Sequence, residues 1–461
     1  MHSPQASRVL PRVTFSRRGR NWYERVFRGM EPWKGLLDRR PHSIEKVAAK
    51  VAKIFDIPLV EAECEAKRIC DGLHEAGYLV CGNQIEMVDG GTTCEEIFNA
   101  NRGLDAPSER SLKDGEQNGE RPNEPAMDLL IEYFREHPAP FELCMDLTRS
   151  CTERCVHCYV PGFESVHLNL DLIRKVFTEF GDAGGLKVKL TGGECMLHPH
   201  FKTILRLARA HDFVISVLSN LTMCDDAMVR ALRDTNVAVV QVSLYGATAE
   251  YHEAVTRIRG SFNRTISAIR RLRGAGVPVQ IHCPVMKQNL QGIMGVKKLG
   301  EELRIKTTFD ASIMSRADHE DCGRIECGLS DVELKQYLAE YDNPERIEKA
   351  PGFDCKCSPC EIGLHKICLS ANGEYYPCNG CYQYTLGKAS EKTLMEVWQS
   401  AEMRRLRELT IGDMKTCASC DMIQYCEVCP SRNFNATCNL CVPDSGLCRM
   451  AKIRKELAEE R

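Results

Sequence analysis

The chain has little net charge and no long apolar stretches, and both absences exclude broad classes of function. Its 461 residues carry 61 Lys and Arg against 64 Asp and Glu, which gives a formal net charge of -3. So balanced a charge provides no bulk attraction to nucleic acid or to an anionic membrane. No segment reaches the ~18 consecutive apolar residues of a membrane-spanning helix, and the N-terminus lacks an apolar signal core. We therefore expect a cytoplasmic protein with no nucleic-acid and no membrane partner.

Cysteine is the residue that the sequence has in excess, with 26 copies. A secreted disulfide scaffold is normally short and carries a signal sequence, and neither holds here. Structural zinc would accept a tight pair such as Cys417 and Cys420, but it does not account for an isolated Cys-x3-Cys-x2-Cys near the middle of the chain. Iron-sulfur clusters need closely spaced thiolates plus others from farther along the chain, and both are present. The cysteine pattern favours iron-sulfur clusters.

The length and the distribution of apolar residues indicate several domains. Helical spacing after Ser43, a plausible N-cap, predicts a small helical unit that ends in a strand at 78–80. A polar segment at 101–126, nearly free of apolar residues, is typical of a linker. Beyond it, short apolar runs alternate with amphipathic segments, which predicts a parallel sheet or partial barrel. The predicted strands are 141–147, 186–190, 213–218, 237–244, 277–285 and 307–310, and the predicted helices are 170–180, 201–211, 227–233, 262–274 and 290–303.

Three cysteines, Cys151, Cys155 and Cys158, directly follow the first of these strands. The loops at the C-terminal ends of parallel strands build active sites, so a tight loop at this place can wrap a cluster. Three thiolates would leave one iron of a cubane cluster without a protein ligand. That open position could bind a substrate or cosubstrate, whereas a structural cluster would use four thiolates.

This motif and the Thr191-Gly192-Gly193-Glu194 segment after the second strand resemble the radical S-adenosylmethionine (SAM) superfamily. The resemblance implies an α/β fold with a partial (β/α)6 barrel over 137–320. It also implies a 4Fe-4S cluster on the three cysteines, where bound SAM is cleaved to a 5′-deoxyadenosyl radical that abstracts a hydrogen atom. The SAM contacts that it implies are Gly192, Gly193, Glu194, Ser219, Asn220, Ser243 and Arg259, with Arg257 as the alternative to Arg259. Cys195, which follows Glu194 at this face, is the candidate catalytic residue.

The cysteines after Pro351 follow a second ordered pattern, which includes Asn372-Gly373-Glu374-Tyr375-Tyr376-Pro377-Cys378 and a Cys-x2-Cys-x5-Cys-x2-Cys run. This array resembles the SPASM extension, expected over 350–450 before a C-terminal helix or tail at 451–461. The resemblance implies two auxiliary 4Fe-4S clusters, for a total of three. The first would use Cys360, Cys378, Cys429 and either Cys368 or Cys357. The second would use Cys417, Cys420, Cys426 and one of Cys448, Cys441 and Cys438. Zinc remains the alternative for the run from Cys417 to Cys429.

The unit at 1–100 resembles the leader-recognition domain of peptide-modifying systems, similar to the pyrroloquinoline quinone peptide chaperone. That likeness implies a winged-helix-like α+β fold that binds a leader peptide along a strand edge. A generic winged-helix unit would give almost the same pattern. A linker after such a domain would hold the core peptide at high effective concentration near the active site.

Together these resemblances predict a radical SAM maturase of a ribosomally made precursor peptide, with flavodoxin or ferredoxin as electron donor. The expected products, in order, are a thioether, another crosslink and an epimerised residue. The alternatives are a sulfatase-type protein maturase or a tetrapyrrole-modifying radical SAM enzyme. A non-catalytic metal-binding interaction protein is the alternative from another class.

Overall fold

The computed structural model describes residues 79–81, 85–87, 134–135, 137–160, 162–318, 327–341 and 355–460. The chain divides into two compact units, Met1–His137 and Pro138–Arg461. In the first unit, β1 (Leu79–Cys81) and β2 (Ile85–Met87) form an antiparallel hairpin. The predicted leader-recognition helices and the linker lie outside the described residues, so those two assignments stay predictions.

The six strands predicted for the middle of the chain are confirmed, each within a few residues. They are β3 (Glu142–Asp146), β4 (Lys187–Thr191), β5 (Val214–Ser219), β6 (Val239–Ser243), β7 (Val279–Pro284) and β8 (Lys306–Asp310). They lie side by side in sequence order and are all parallel. This is the partial parallel barrel that the sequence predicts.

The predicted helices are also confirmed. They are α1 (Leu170–Asp182), α2 (Phe201–Ala210), α3 (Asp226–Asp234), α5 (Ser261–Gly274) and α6 (Ile293–Glu302). The helix α4 (Ala249–Thr256) is an addition that the sequence did not predict. The first shows why these segments fold as helices: the Asn169 side chain caps α1, and Ile173, Val176, Phe177 and Phe180 place one apolar stripe on the sheet. Parallel crossovers are almost always right-handed, so consecutive ones put the helices on one side of the sheet and leave the other side as the inner face of the barrel.

The C-terminal region extends the same sheet. After the helix α7 (Asp331–Tyr341) come the strands β9 (Lys366–Leu369), β10 (Glu374–Tyr376) and β11 (Gly387–Lys388). The strand β9 pairs in parallel with β3, and β10 and β11 follow antiparallel, so the sheet has nine strands within the described residues. The helices that follow are α8 (Leu394–Trp398), α9 (Ala401–Arg407), α10 (Lys415–Ala418), α11 (Pro430–Thr437) and α12 (Ser445–Glu459). The cysteine-rich region therefore continues the wall of the barrel.

Within the part of the chain that the structure describes, no helix combines the length and apolar character needed to cross a membrane. This agrees with the absence of a long apolar run in the sequence. The predicted cytoplasmic location stays a prediction.

Candidate functional site

The loop that carries Cys151, Cys155 and Cys158 leaves the C-terminal end of β3, and we call residues 147–160 the cluster loop. Its backbone is held on two sides. The Arg149 N–H donates to the Val166 carbonyl at 3.0 Å, and the Val156 N–H donates to the Val255 carbonyl, also at 3.0 Å. These bonds fix the loop to the segment before α1 and to α4. The loop is thus a rigid cradle at the strand ends where the sequence predicts the active site.

The two glycines of the Gly192-Gly193 pair allow the end of β4 to pack directly on the cluster loop. A Cβ atom on Gly192, whose φ is +132°, would lie 2.4 Å from the Thr148 carbonyl oxygen. A Cβ atom on Gly193 would lie 2.4 Å from the Ser150 carbonyl oxygen. The Gly193 N–H donates to the Thr148 carbonyl at 2.7 Å. Both glycines are needed for this contact between backbones, and their predicted contact with SAM stays a prediction.

Replacing Gly193 by alanine is therefore expected to displace the cluster loop and to lower cluster occupancy there. Because the clash is with backbone rather than with a flexible side chain, the neighbouring chain must move. The measurement is the iron content of anaerobically reconstituted protein, which should fall by up to about four atoms per chain. The matched control is Gly274→Ala at the end of α5, where a Cβ meets nothing within 4 Å. Parent-like iron in Gly193→Ala would refute the steric argument.

Glu194 ties the ends of β4 and β5 together from a fully buried position. Its carboxylate accepts hydrogen bonds from the Met196 N–H at 3.0 Å, the Ser219 hydroxyl at 2.8 Å and the Asn220 N–H at 2.8 Å. Burial is the main reason that the pKa of Glu194 is raised to about 7, and these hydrogen bonds oppose the rise. The carboxylate thus organises the strand ends from within. Its predicted bond to the SAM ammonium group stays a prediction.

Asn220 carries this arrangement to the first cysteine of the loop. Its side-chain amide lies 3.7 Å from the Cys151 sulfur and donates to the Thr152 hydroxyl at 3.0 Å. The Thr152 hydroxyl is in turn 2.6 Å from that of Thr222. Ser219 and Asn220 are therefore brought to the cluster loop, as the sequence predicts, although Ser219 acts through Glu194.

A tyrosine that the sequence analysis did not single out also reaches the loop. Tyr245, two residues beyond Ser243 at the end of β6, is 4% exposed, and its hydroxyl donates to the Cys155 sulfur at 3.7 Å. The Tyr245 N–H donates to Nδ1 of the buried His252 at 3.3 Å. Its position directly after a predicted strand was the available signal. Ser243 also hydrogen-bonds the Tyr245 hydroxyl, which places Ser243 beside the site.

The remaining predicted residues are placed less favourably. Arg259 and its alternative Arg257 are both exposed, and Arg257 has the left-handed φ of 58° at the end of α4. Cys195 is fully buried and donates to the Leu218 carbonyl at 3.2 Å. A thiol with no exposed surface cannot reach a substrate without rearrangement. The catalytic role of Cys195 stays a prediction that its burial disfavours.

The chemistry of the cluster loop fits an iron-sulfur cluster. Burial raises the pKa of the three thiols, to about 12 for Cys151. Burial disfavours the ionised thiolate form of these cysteines. A bound cation such as iron stabilises the thiolates, because its positive charge offsets their negative charge. Three sulfurs in one loop would leave one iron of a 4Fe-4S cluster open. Cys151, Cys155 and Cys158 are thus suited to the cluster that binds SAM.

Two further groups of cysteines lie near one another in the C-terminal region. Auxiliary site 1 consists of Cys360, Cys378, Cys381 and Cys429; burial raises the pKa of Cys360 to about 12, and the nearby sulfurs of Cys429 and Cys378 raise it further. Cys357, an alternative ligand in the sequence analysis, is exposed. Cys381 was not among the predicted ligands.

Auxiliary site 2 consists of Cys417, Cys420, Cys426 and Cys448, which line one cavity together with apolar side chains such as Ile423 and Leu447. Of the three candidates for its fourth ligand, Cys448 is the one that lines the cavity. Cys438 is exposed at the end of α11. Among the described residues no three His, Cys, Asp or Glu side chains converge as a site for a single metal ion.

The inner face of the barrel carries a buried polar pair. Alternation along β3 sends Leu143 and Met145 into the core, whereas Asp146 points to the inner face. The Tyr376 hydroxyl at the end of β10 donates to Asp146 at 2.5 Å. Burial raises the pKa of Asp146 to about 6, although the Tyr376 hydrogen bond opposes this shift. A carboxyl group with this pKa can exchange a proton near neutral pH.

Comparison with known proteins identifies two domains in the chain. Residues 145–299 match the radical SAM superfamily, and residues 360–430 match the SPASM iron-sulfur cluster-binding domain. The chain carries a radical SAM domain followed by a SPASM domain. It is thus an enzyme with a radical SAM domain, which requires a 4Fe-4S cluster and SAM, and a SPASM domain, which binds auxiliary clusters. The predicted ranges 137–320 and 350–450 enclose the two matches.

Two curated relatives are named for different products. An AdoMet-dependent heme synthase of Methanosarcina barkeri is 27% identical over 328 residues, which cover 65% of this radical SAM chain and 93% of that protein. The antilisterial bacteriocin subtilosin biosynthesis protein AlbA of Bacillus subtilis is 24% identical, covering 65% of this chain and 69% of AlbA.

Among solved structures, Streptococcus suis SuiB bound to the precursor peptide SuiA superposes on this radical SAM enzyme with a TM-score of 0.52. The identity is 17%, and the match covers 88% of this chain and 92% of SuiB. This likeness confirms the predicted fold class.

Proposed function

We propose that this enzyme is a maturase of a ribosomally made peptide, which takes a hydrogen atom from a core residue and joins that carbon to a second group, foremost a cysteine sulfur. The main observation behind the proposal is that the SPASM region continues the sheet of the barrel. The strand β9 extends the sheet from β3, and Tyr376, two residues before Cys378, bonds Asp146 on the inner face. A substrate within the barrel would thus lie close to auxiliary site 1.

When bound, the cluster on Cys151, Cys155 and Cys158 and its SAM would supply the hydrogen-abstracting radical, and auxiliary clusters would supply electron transfer. Residues of the chain hold the loop in place: Glu194 fixes the strand ends, and Asn220 and Tyr245 contact two of the three sulfurs. Flavodoxin or ferredoxin is the expected source of low-potential electrons.

The proton released when a thiol joins a carbon needs an acceptor, and Asp146 is placed to take it. Replacing Asp146 by asparagine should lower product formation about 100-fold, the scale of general-base catalysis. Formation of 5′-deoxyadenosine should persist, because hydrogen abstraction does not require this carboxylate. In the parent enzyme, product formation should rise with pH through about 6, as the carboxyl group with its raised pKa ionises.

The measurement is the rate of crosslinked product by mass spectrometry from pH 5 to 8, with the exposed Asp234→Asn on α3 as the control. Equal pH profiles for the parent and Asp146→Asn would contradict a proton-accepting role.

Peptide-acting relatives support the substrate class, since AlbA is named for subtilosin biosynthesis and SuiB is solved with its precursor peptide. The unit at 1–100 would bind the leader of such a peptide. Removing residues 1–100 should then abolish leader binding but leave the cluster loop and SAM cleavage intact.

A tetrapyrrole-modifying activity is the second candidate, and the heme synthase relative, covered over 93% of its length, favours it. The discriminating experiment incubates reduced, reconstituted enzyme and SAM with candidate precursor peptides or with iron-coproporphyrin. A peptide that has lost two hydrogen atoms, formed only when 1–100 are present, supports the maturase. Turnover of the porphyrin, undiminished by removal of 1–100, would replace it.

A further inference from the structure

We infer that Cys381, rather than Cys368, supplies the fourth thiolate of auxiliary site 1, which gives that cluster a complete set of protein ligands. The inference deepens the proposed function, on which its consequence for the substrate rests. The sequence offered Cys368 or Cys357 as the fourth ligand and left Cys381, three residues after Cys378, unassigned.

A tight turn brings Cys381 beside Cys378. The Cys381 N–H donates to the Cys378 carbonyl at 2.7 Å, which closes the turn directly after β10. A Cys-x2-Cys turn of this kind presents two sulfurs to one side, as in many metal and cluster sites.

The same turn packs on the start of α11, which carries the third ligand. A Cβ atom on Gly380 would lie 2.8 Å from the Ser431 side chain, so a glycine is needed for this approach. The Ser431 side chain also hydrogen-bonds the Cys381 sulfur. Cys429 is the N-cap residue of this helix, two positions before Ser431. The turn and the helix start thus place Cys381 and Cys429 next to each other.

Electrostatic interactions link Cys381 to the other three cysteines of auxiliary site 1. The pKa of Cys381 is raised first by burial and then by the sulfurs of Cys378, Cys429 and Cys360. Cys381 is therefore close enough to interact with all three of the other predicted ligands. Four cysteines grouped in this way could provide the donor set of a fully ligated 4Fe-4S cluster.

Cys368 points elsewhere. It lies on β9 in register with Cys144 of β3, and its sulfur hydrogen-bonds the Cys144 sulfur. The Asn379 side chain closes this arrangement, with its oxygen 3.4 Å from the Cys368 sulfur and its nitrogen 3.0 Å from that of Cys144. Of the predicted ligands, only Cys378 appears among the interactions that shift the pKa of Cys368. Cys368 is thus part of a packed contact between two strands.

This assignment has a consequence for the chemistry. A cluster with four protein thiolates has no open iron at which a substrate sulfur could bind. Auxiliary site 2 also brings together four cysteines. Both auxiliary clusters would then carry electrons away from the substrate, and a substrate thiol would meet the carbon radical without first binding iron.

The test compares Cys381→Ser with Cys368→Ser in the full-length, anaerobically reconstituted enzyme. Serine keeps the size of the side chain, and circular dichroism checks that each variant is folded. Iron content and the electron paramagnetic resonance spectrum of the dithionite-reduced protein are measured without SAM or substrate. Cys381→Ser should lose up to about four irons per chain and lose or shift one auxiliary-cluster signal, whereas Cys368→Ser should match the parent in both.

A Cys381→Ser variant that is folded and matches the parent in iron and spectrum would overturn the inference, as would loss of iron or signal in Cys368→Ser. Because no substrate is present, these readouts stand apart from the proposed function. A failure of the proposed function would appear instead as an unchanged peptide in the substrate assay, with both iron results as expected.

Discussion

Replacing Cys151, Cys155 and Cys158 together by alanine is expected to lower the iron content of reconstituted protein from about twelve to about eight atoms per chain. All three cysteines lie in the cluster loop, and backbone hydrogen bonds tie this loop to its neighbours. The two auxiliary sites lie on other segments and should load normally. Iron and sulfide analysis after anaerobic reconstitution is the measurement.

The matched control is Cys283→Ala, which removes a buried thiol of β7 that belongs to none of the three sites. It should leave the iron content unchanged. About four irons in the parent would remove both auxiliary clusters from the account, and parent-like iron in the triple variant would remove the first.

Glu194→Ala should both destabilise the barrel and prevent loading of the cluster loop. The substitution leaves the buried N–H groups of Met196 and Asn220 and the hydroxyl of Ser219 without their acceptor. Each buried group left without a partner costs on the order of 1–3 kcal/mol, and the loss of this link also frees Asn220 from its position beside the Cys151 sulfur. We expect a loss of roughly 3 kcal/mol in stability and little 5′-deoxyadenosine.

The measurements are thermal unfolding of the unloaded protein and SAM cleavage by the reconstituted one. Glu164→Ala is the control, because this carboxylate is 57% exposed in its ion pair with Arg149 and its loss should matter little. A Glu194→Ala variant as stable and active as the parent would show that the carboxylate does not organise the strand ends.

The barrel could be predicted because its signals are local. Apolar runs separated by amphipathic segments indicated the six strands β3 to β8, and Cys151, Cys155 and Cys158 all lie within one loop. The SPASM strands were missed because they are short: β10 has 3 residues and β11 has 2. Strands of this length gain their stability from pairing with distant segments, which no local pattern reveals.

The ligands of auxiliary site 1 were harder for the same reason. Cys368 lies ten residues before Cys378 and Cys381 three residues after it, and the sequence does not show that the pairing of β9 with β3 sets Cys368 against Cys144. The pair of Asp146 and Tyr376 likewise joins residues 230 positions apart. Tyr245 had a local signal in its place after a strand, but a lone tyrosine there is too common to single out.

The central claim is that this chain performs radical SAM chemistry, and reductive cleavage of SAM tests it most directly. Fully loaded protein, reduced with dithionite and given SAM, should form 5′-deoxyadenosine, while the variant without Cys151, Cys155 and Cys158 should form none. No 5′-deoxyadenosine from loaded and reduced parent protein, even with candidate peptides present, would contradict the account and favour a cluster-binding interaction protein.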